Sequence, residues 1–151
     1  MKKYILASAL TLAVAAIGCA GFEHTSTTTS PSATGVSALM GTWVSASSVV
    51  PTPSTCSDFK WNVTEQTATT AKGSFTATCA GDLKVTGTAQ GTLSGSIISW
   101  SAVGTATAAG LPSCAITLAG TAELGASSIR VPYSGDTCLG KVSGVEILDK
   151  K

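Results

Sequence analysis

The chain has 151 residues, only 11% of them charged, and its nine basic and eight acidic side chains leave a formal net charge of +1. With no basic stripe to gather phosphates, nucleic acid is excluded as a partner. A single histidine, His24, and cysteines without any Cys-x-x-Cys spacing predict no metal and no cofactor.

In chain order, the first element is Met1-Lys2-Lys3, a basic head, followed by an uncharged run from Tyr4 to Ile17. A positive start, an apolar middle and small residues before a cut form the layout of a secretory leader. The run is too short to cross a ~30 Å hydrocarbon core as a permanent helix, so removal is expected. It ends in Ala16-Ile17-Gly18-Cys19. This ending resembles the lipobox of bacterial lipoprotein precursors. The resemblance implies loss of residues 1–18 and a lipidated Cys19 as the new N-terminus. It also implies a location in the bacterial cell envelope, facing periplasm or exterior. Ala20 after the cysteine, rather than Asp, implies outer-membrane sorting where two membranes exist. Physical chemistry agrees with acylation, because an exposed unpaired thiol is a liability in an oxidising compartment. Two or more acyl chains, which the resemblance implies, are what stable anchoring needs.

Residues 19–38 read as a tether. Thr25 to Ser37 is a Ser/Thr/Pro/Gly segment with almost nothing to bury, and a flexible chain of this length spans roughly 25 Å. His24 falls on it and is expected to be solvated.

From Leu39 to Lys151 the texture becomes short alternating runs separated by Gly, Pro and Asp. Eight strands are expected, at about Gly41–Val50, Asp58–Thr67, Lys72–Ala80, Leu83–Leu93, Ser96–Ala106, Cys114–Leu124, Ser127–Tyr133 and Lys141–Leu148. Alternation is clearest at Phe59-Trp61-Val63, Leu83-Val85, Ile116-Leu118 and Ile129-Val131-Tyr133. The turn spacing predicts an all-β domain: an eight-stranded antiparallel up-and-down barrel, or alternatively a two-sheet sandwich. Inward positions such as Ala77, Gly87, Ala89, Gly91, Gly120 and Ala122 are small, which lets a sheet bend sharply but leaves a thin core.

Four cysteines remain in the domain: Cys56, Cys79, Cys114 and Cys138. The midpoint of the first two lies beside Thr67-Ala68-Thr69-Thr70, and that of the second two at Ala126 within Gly125-Ala126-Ser127-Ser128. Each pair then sits at mirrored positions on a predicted hairpin, close enough for a bridge. The expected disulfides are Cys56–Cys79 and Cys114–Cys138, each contributing roughly 3–4 kcal/mol through loop closure. Phe75 to Gly87 and Tyr133 to Gly144 also share a phrase: an aromatic, a Thr-Cys, a Gly, then Lys-Val-hydroxyl-Gly. A duplicated supersecondary unit and chance in a Thr/Gly-rich sequence explain this equally well.

The domain has no histidine to activate a nucleophile. Its acids, Asp58, Glu65, Asp82, Glu123, Asp136, Glu146 and Asp149, fall at turns or polar strand positions, with Glu123 and Glu146 the pair that can meet across strands. The expectation is a non-enzymatic protein. Gly41-Thr42-Trp43 resembles the Gly-x-Trp of the calycin barrels (lipocalins, fatty-acid-binding proteins and avidins). That resemblance implies an eight-stranded barrel with Trp43 at a closed end, and implies no particular ligand. Two readings of function stay open. In one, Trp43, Trp61, Phe75, Trp100 and Tyr133 line a mouth for a small apolar ligand. In the other, the same aromatics fill the core, and hydroxyl-rich strands form a structural or adhesive surface that contacts glycans or a partner protein. A cavity of ~300 Å³ or more separates the first from the second.

Overall fold

In a computed structural model the described residues are 38–151; the leader, Cys19 and the expected tether lie outside them except for Ala38. Eight strands follow one another: β1 (Gly41–Ser45), β2 (Cys56–Gln66), β3 (Thr70–Cys79), β4 (Leu83–Ser94), β5 (Ile97–Thr107), β6 (Cys114–Leu124), β7 (Ser128–Thr137) and β8 (Gly140–Lys150). Each pairs antiparallel with the next, and β8 returns to β1, so the sheet closes as an up-and-down barrel. The sandwich alternative is thereby excluded. The chain joins the barrel at the end that carries the β2–β3, β4–β5 and β6–β7 turns, here called the near end. The far end carries the β1–β2 loop, the β3–β4 turn, the β5–β6 loop and the β7–β8 turn.

Period-two alternation places Leu83, Val85 and Ala89, then Ile98 and Ala102, then Ile116, Leu118 and Ala122 inside. Large side chains fit because small ones face them across the ladder. Phe75 is opposite Gly87, Tyr133 opposite Gly144, and Trp100 sits between Gly91 and Gly120. The shared phrase in the two halves of the sequence thus corresponds to the same aromatic-over-glycine arrangement on the β3–β4 and β7–β8 hairpins. Glycine also permits the curl. At Gly135 an added Cβ would lie 1.9 Å from the Thr117 carbonyl oxygen, and at Gly73 it would lie 1.9 Å from that of Asn62. Strands approach this closely only where no side chain stands between them.

Two bulges in β2 set its register. The ladder with β3 shifts between Ser57 and Lys60, where Asp58 has a φ of 51°, and again between Val63 and Glu65. Each bulge adds one residue to β2, and the first lets Cys56 and Phe59, spaced by three, both be buried.

Two boundaries differ from the sequence reading by more than two residues. β1 stops at Ser45 instead of reaching Val50: after a last bond to β8, from Ala46 N–H to the Ile147 carbonyl (2.7 Å), the chain leaves the wall toward Pro51 and Pro53. β7 continues past Tyr133 to Thr137, its last residue pairing with Gly140. The glycine and aspartate of Ser134-Gly135-Asp136 suggest a turn, but Gly135 is a close-approach position inside the strand.

Both expected disulfides are present, and both are at the far end. Cys56 and Cys79 are opposed residues of the β2–β3 ladder, as the mirrored spacing predicts. The Cys114–Cys138 bond is differently placed. Cys138 lies beyond the end of β7, in the β7–β8 turn, so this bridge ties that turn to the start of β6 with a Cα–Cα separation of 5.9 Å.

Candidate functional site

The near end is covered by the chain's own entry segment. Leu39 is fully buried; its N–H donates to Gln66 Oε1 (3.2 Å), and its carbonyl accepts the Trp43 indole N–H (2.8 Å). Trp43 is 2% exposed, with Lys150 Nζ 5.5 Å from its ring centroid. At the far end the β1–β2 loop is fastened by Ser143 N–H to the Ser54 carbonyl and by Ala80 N–H to the Thr55 carbonyl, each 2.9 Å.

Between these ends lies an apolar cavity of about 50 Å³. Of the five aromatics considered for a ligand mouth, Trp61, Phe75 and Trp100 line it, along with Phe59. Trp43 and Tyr133 do not: the first packs beneath the entry segment and the second lies at a seam in the wall. The cavity falls well short of the ~300–1,000 Å³ of ordinary ligand pockets. The cavity's own surface is apolar; the indole N–H groups of two of its lining residues, Trp61 and Trp100, are buried and have no acceptor among the described residues.

The seam exists because β1 is short. It covers β2 only over Lys60–Val63 and β8 only over Leu148–Lys150, so beyond Ser45 nothing is laddered between β2 and β8. Side chains close the gap. Tyr133, from β7, passes Gly144 of β8 and reaches the backbone of Cys56 on β2. Its hydroxyl accepts from Cys56 N–H (2.7 Å) and donates to the Cys56 carbonyl (2.9 Å). An added Cβ on Gly144 would meet that hydroxyl at 2.5 Å, so the glycine keeps the passage open. One step along, Ser45 Oγ donates to Glu146 Oε2 (2.8 Å) and accepts from Phe59 N–H (2.8 Å), linking β8, β1 and β2.

Glu146 is the residue that sequence reasoning misplaced. It does not meet Glu123, which is exposed and opposite Arg130 on the far side of β7. Partial burial, together with the negative charge of nearby Asp58, pushes the Glu146 carboxyl above the ordinary carboxylate range, against the opposing hydrogen bond from Ser45. Burial likewise raises Tyr133, with the Cys56 backbone hydrogen bond opposing it. Both roles of the Ser45 hydroxyl go to holding strands together. Among the described residues no three His, Cys, Asp or Glu side chains converge as a metal site would need. The signal for this cluster in the sequence was only the parity of Glu146 on β8, which places an acid on the inward side.

The outer wall is the remaining surface. On β3 to β6 its outward positions form cross-strand rows read from the register: Thr70–Thr92–Ser99–Thr121, Ser74–Thr88–Val103–Thr117 and Thr76–Thr86–Thr105. Exposed large apolar residues lie on far-end loops, at Val49, Val50, Leu111 and Leu139, at Met40 before β1, and on the outer faces of β5, where Val103 interrupts a hydroxyl row, and β8.

By architecture the protein is a disulfide-bonded, eight-stranded up-and-down β-barrel with a nearly filled interior. Neither the protein-family models, nor the curated proteins, nor the solved structures contain a match to the chain.

Proposed function

We propose that the protein is a non-enzymatic, lipid-anchored module of the bacterial cell envelope that works through its outer surface rather than its interior. The observation that carries the surface reading is the interior void of about 50 Å³, room for a few waters at most. The anchor rests on Ala16-Ile17-Gly18-Cys19. In this reading the disulfides and the seam stiffen a scaffold whose business is contact.

Mass spectrometry of the protein from its own host tests the anchor: acyl mass on Cys19 is expected, and an unmodified chain starting elsewhere refutes it. In the same host Cys19→Ala should move the protein from the membrane to the soluble fraction. A second reading, a small ligand held inside the barrel, draws on Trp61 and Trp100, which line the cavity and whose buried indole N–H groups have no acceptor among the described residues. Native mass spectrometry distinguishes the two: a retained organic molecule supports the second, and the mass of the acylated chain with nothing further bound supports the first.

A further inference from the structure

We infer that the outer wall of the barrel carries a binding groove for a neutral saccharide, running across β2 to β5 on the near-end half; this deepens the surface-contact reading above and rests on it. The groove is a depression of about 370 Å³. A second one of about 100 Å³ continues it, and the two share Lys72, Gln90 and Ser101. The combined space is of the size that takes one or two pyranose rings.

The chemistry of the walls selects the class of ligand. Glu65, Lys72, Gln90, Thr92, Ser99 and Ser101 are all exposed, and none of their side chains hydrogen-bonds another described residue. Thr67 and Thr70, by contrast, bond each other at 2.7 Å within the β2–β3 turn. The available set is three hydroxyls, one amide, one ammonium and one carboxylate. Opposite charges on Glu65 and Lys72, which are register partners, leave the groove neutral overall. An acidic polymer or phosphate therefore finds no net field there. Val103, at the end of the smaller depression, is the one exposed large apolar side chain among the lining residues, and the larger depression has none, so an apolar ligand finds little to cover it.

An extended peptide adding as a strand needs a free sheet edge. Here β3 and β4 are paired on both sides, so their backbone groups are committed. A molecule dense in hydroxyls is what remains, with the Lys72 and Gln90 stems and the Thr92 methyl against its C–H faces. Adjacent strands put successive rows ~4.8 Å apart, close to the length of one sugar ring in an extended glycan. With no aromatic platform, recognition comes from neutral hydrogen bonds worth ~0.5–1.5 kcal/mol each before the cost of binding, so a dissociation constant of order millimolar is expected. Many copies on one membrane would raise the effective affinity without new contacts.

The test titrates the full chain, ¹⁵N-labelled in detergent, with cellotetraose and, separately, chitotetraose. Amide shifts centred on Lys72, Gln90 and Ser101 with millimolar saturation are expected. Gln90→Leu and Ser101→Val, both at exposed wall positions, should each weaken binding about tenfold with the melting temperature unchanged. Thr105→Val, on the same wall outside the groove, should leave binding as it was. Absence of shifts with both sugars at about ten times the expected constant, shifts confined to the far-end loops or interior, or full binding by both groove variants would each overturn the assignment. An unmodified Cys19 found by mass spectrometry would instead remove the anchor and leave the saccharide result standing.

Discussion

Replacing Tyr133 by Phe removes one oxygen and little else. The ring stays against Phe59, whose centroid is 5.1 Å away, and Gly144 still makes room for it. What is lost is the pair of hydrogen bonds to the Cys56 amide and carbonyl, at 2.7 and 2.9 Å, in a residue only 4% exposed. A neutral hydrogen bond contributes about 1 kcal/mol net, and a buried N–H left without an acceptor costs ~1–3 kcal/mol. The expected loss is therefore about 2–3 kcal/mol, a large part of the ~5–15 kcal/mol that holds a domain folded. At roughly 4 °C per kcal/mol the melting temperature should fall by about 10 °C. Urea unfolding of the disulfide-intact chain, followed by circular dichroism, should show a lower midpoint with an unchanged slope. A loss under about 0.5 kcal/mol would mean that the seam between β2 and β8 is not held by this hydroxyl, and the account of barrel closure would fail.

Three further outcomes follow from the same geometry. Because the folded-state pKa of Glu146 is raised, the native protein holds a proton that the unfolded chain releases, so stability falls as pH climbs through that interval. Glu146→Gln should accordingly be more stable than wild type at neutral pH, the advantage vanishing below the ordinary glutamate range where both states are protonated; thermal melts across pH check this, and a pH-independent difference refutes it. Gly135→Ala, whose Cβ would meet the Thr117 carbonyl at 1.9 Å, should cost about 3 kcal/mol or more, whereas Gly81→Ala, in open space at a φ of +94°, should cost only about 1–2 kcal/mol of backbone strain; equal losses in denaturant titrations would refute the close-approach argument. Removing Cys114–Cys138 by a double Ala substitution should cost about 3 kcal/mol for its loop, read by calorimetry; a cost below about 1 kcal/mol would contradict the loop-closure argument.

How much of this was legible beforehand can be followed residue by residue. Period-two alternation at Phe59-Trp61-Val63 and Ile129-Val131-Tyr133 identified strands and their inward faces, since a pleated chain half in water writes its burial directly into the residue order. The pairing of four cysteines was readable because a hairpin mirrors positions about its turn. The outward Thr and Ser rows were present in the alternation too, but not their neighbours across the wall.

What the sequence by itself determined is the class of fold, the eight strands, the sulfur pairing and the size mismatch between large and small inward residues. Only the tertiary structure decided where β1 ends, that β2 carries two bulges, that Gly135 is a contact and not a turn, and that Glu146 and Tyr133 work at one seam while Glu123 stands apart. The physical reason is that closure is non-local. A strand's register and length depend on the neighbour it must match around the ring, and β1 meets β8 only after about a hundred residues of intervening chain. No window along the polypeptide contains both sides of that fit.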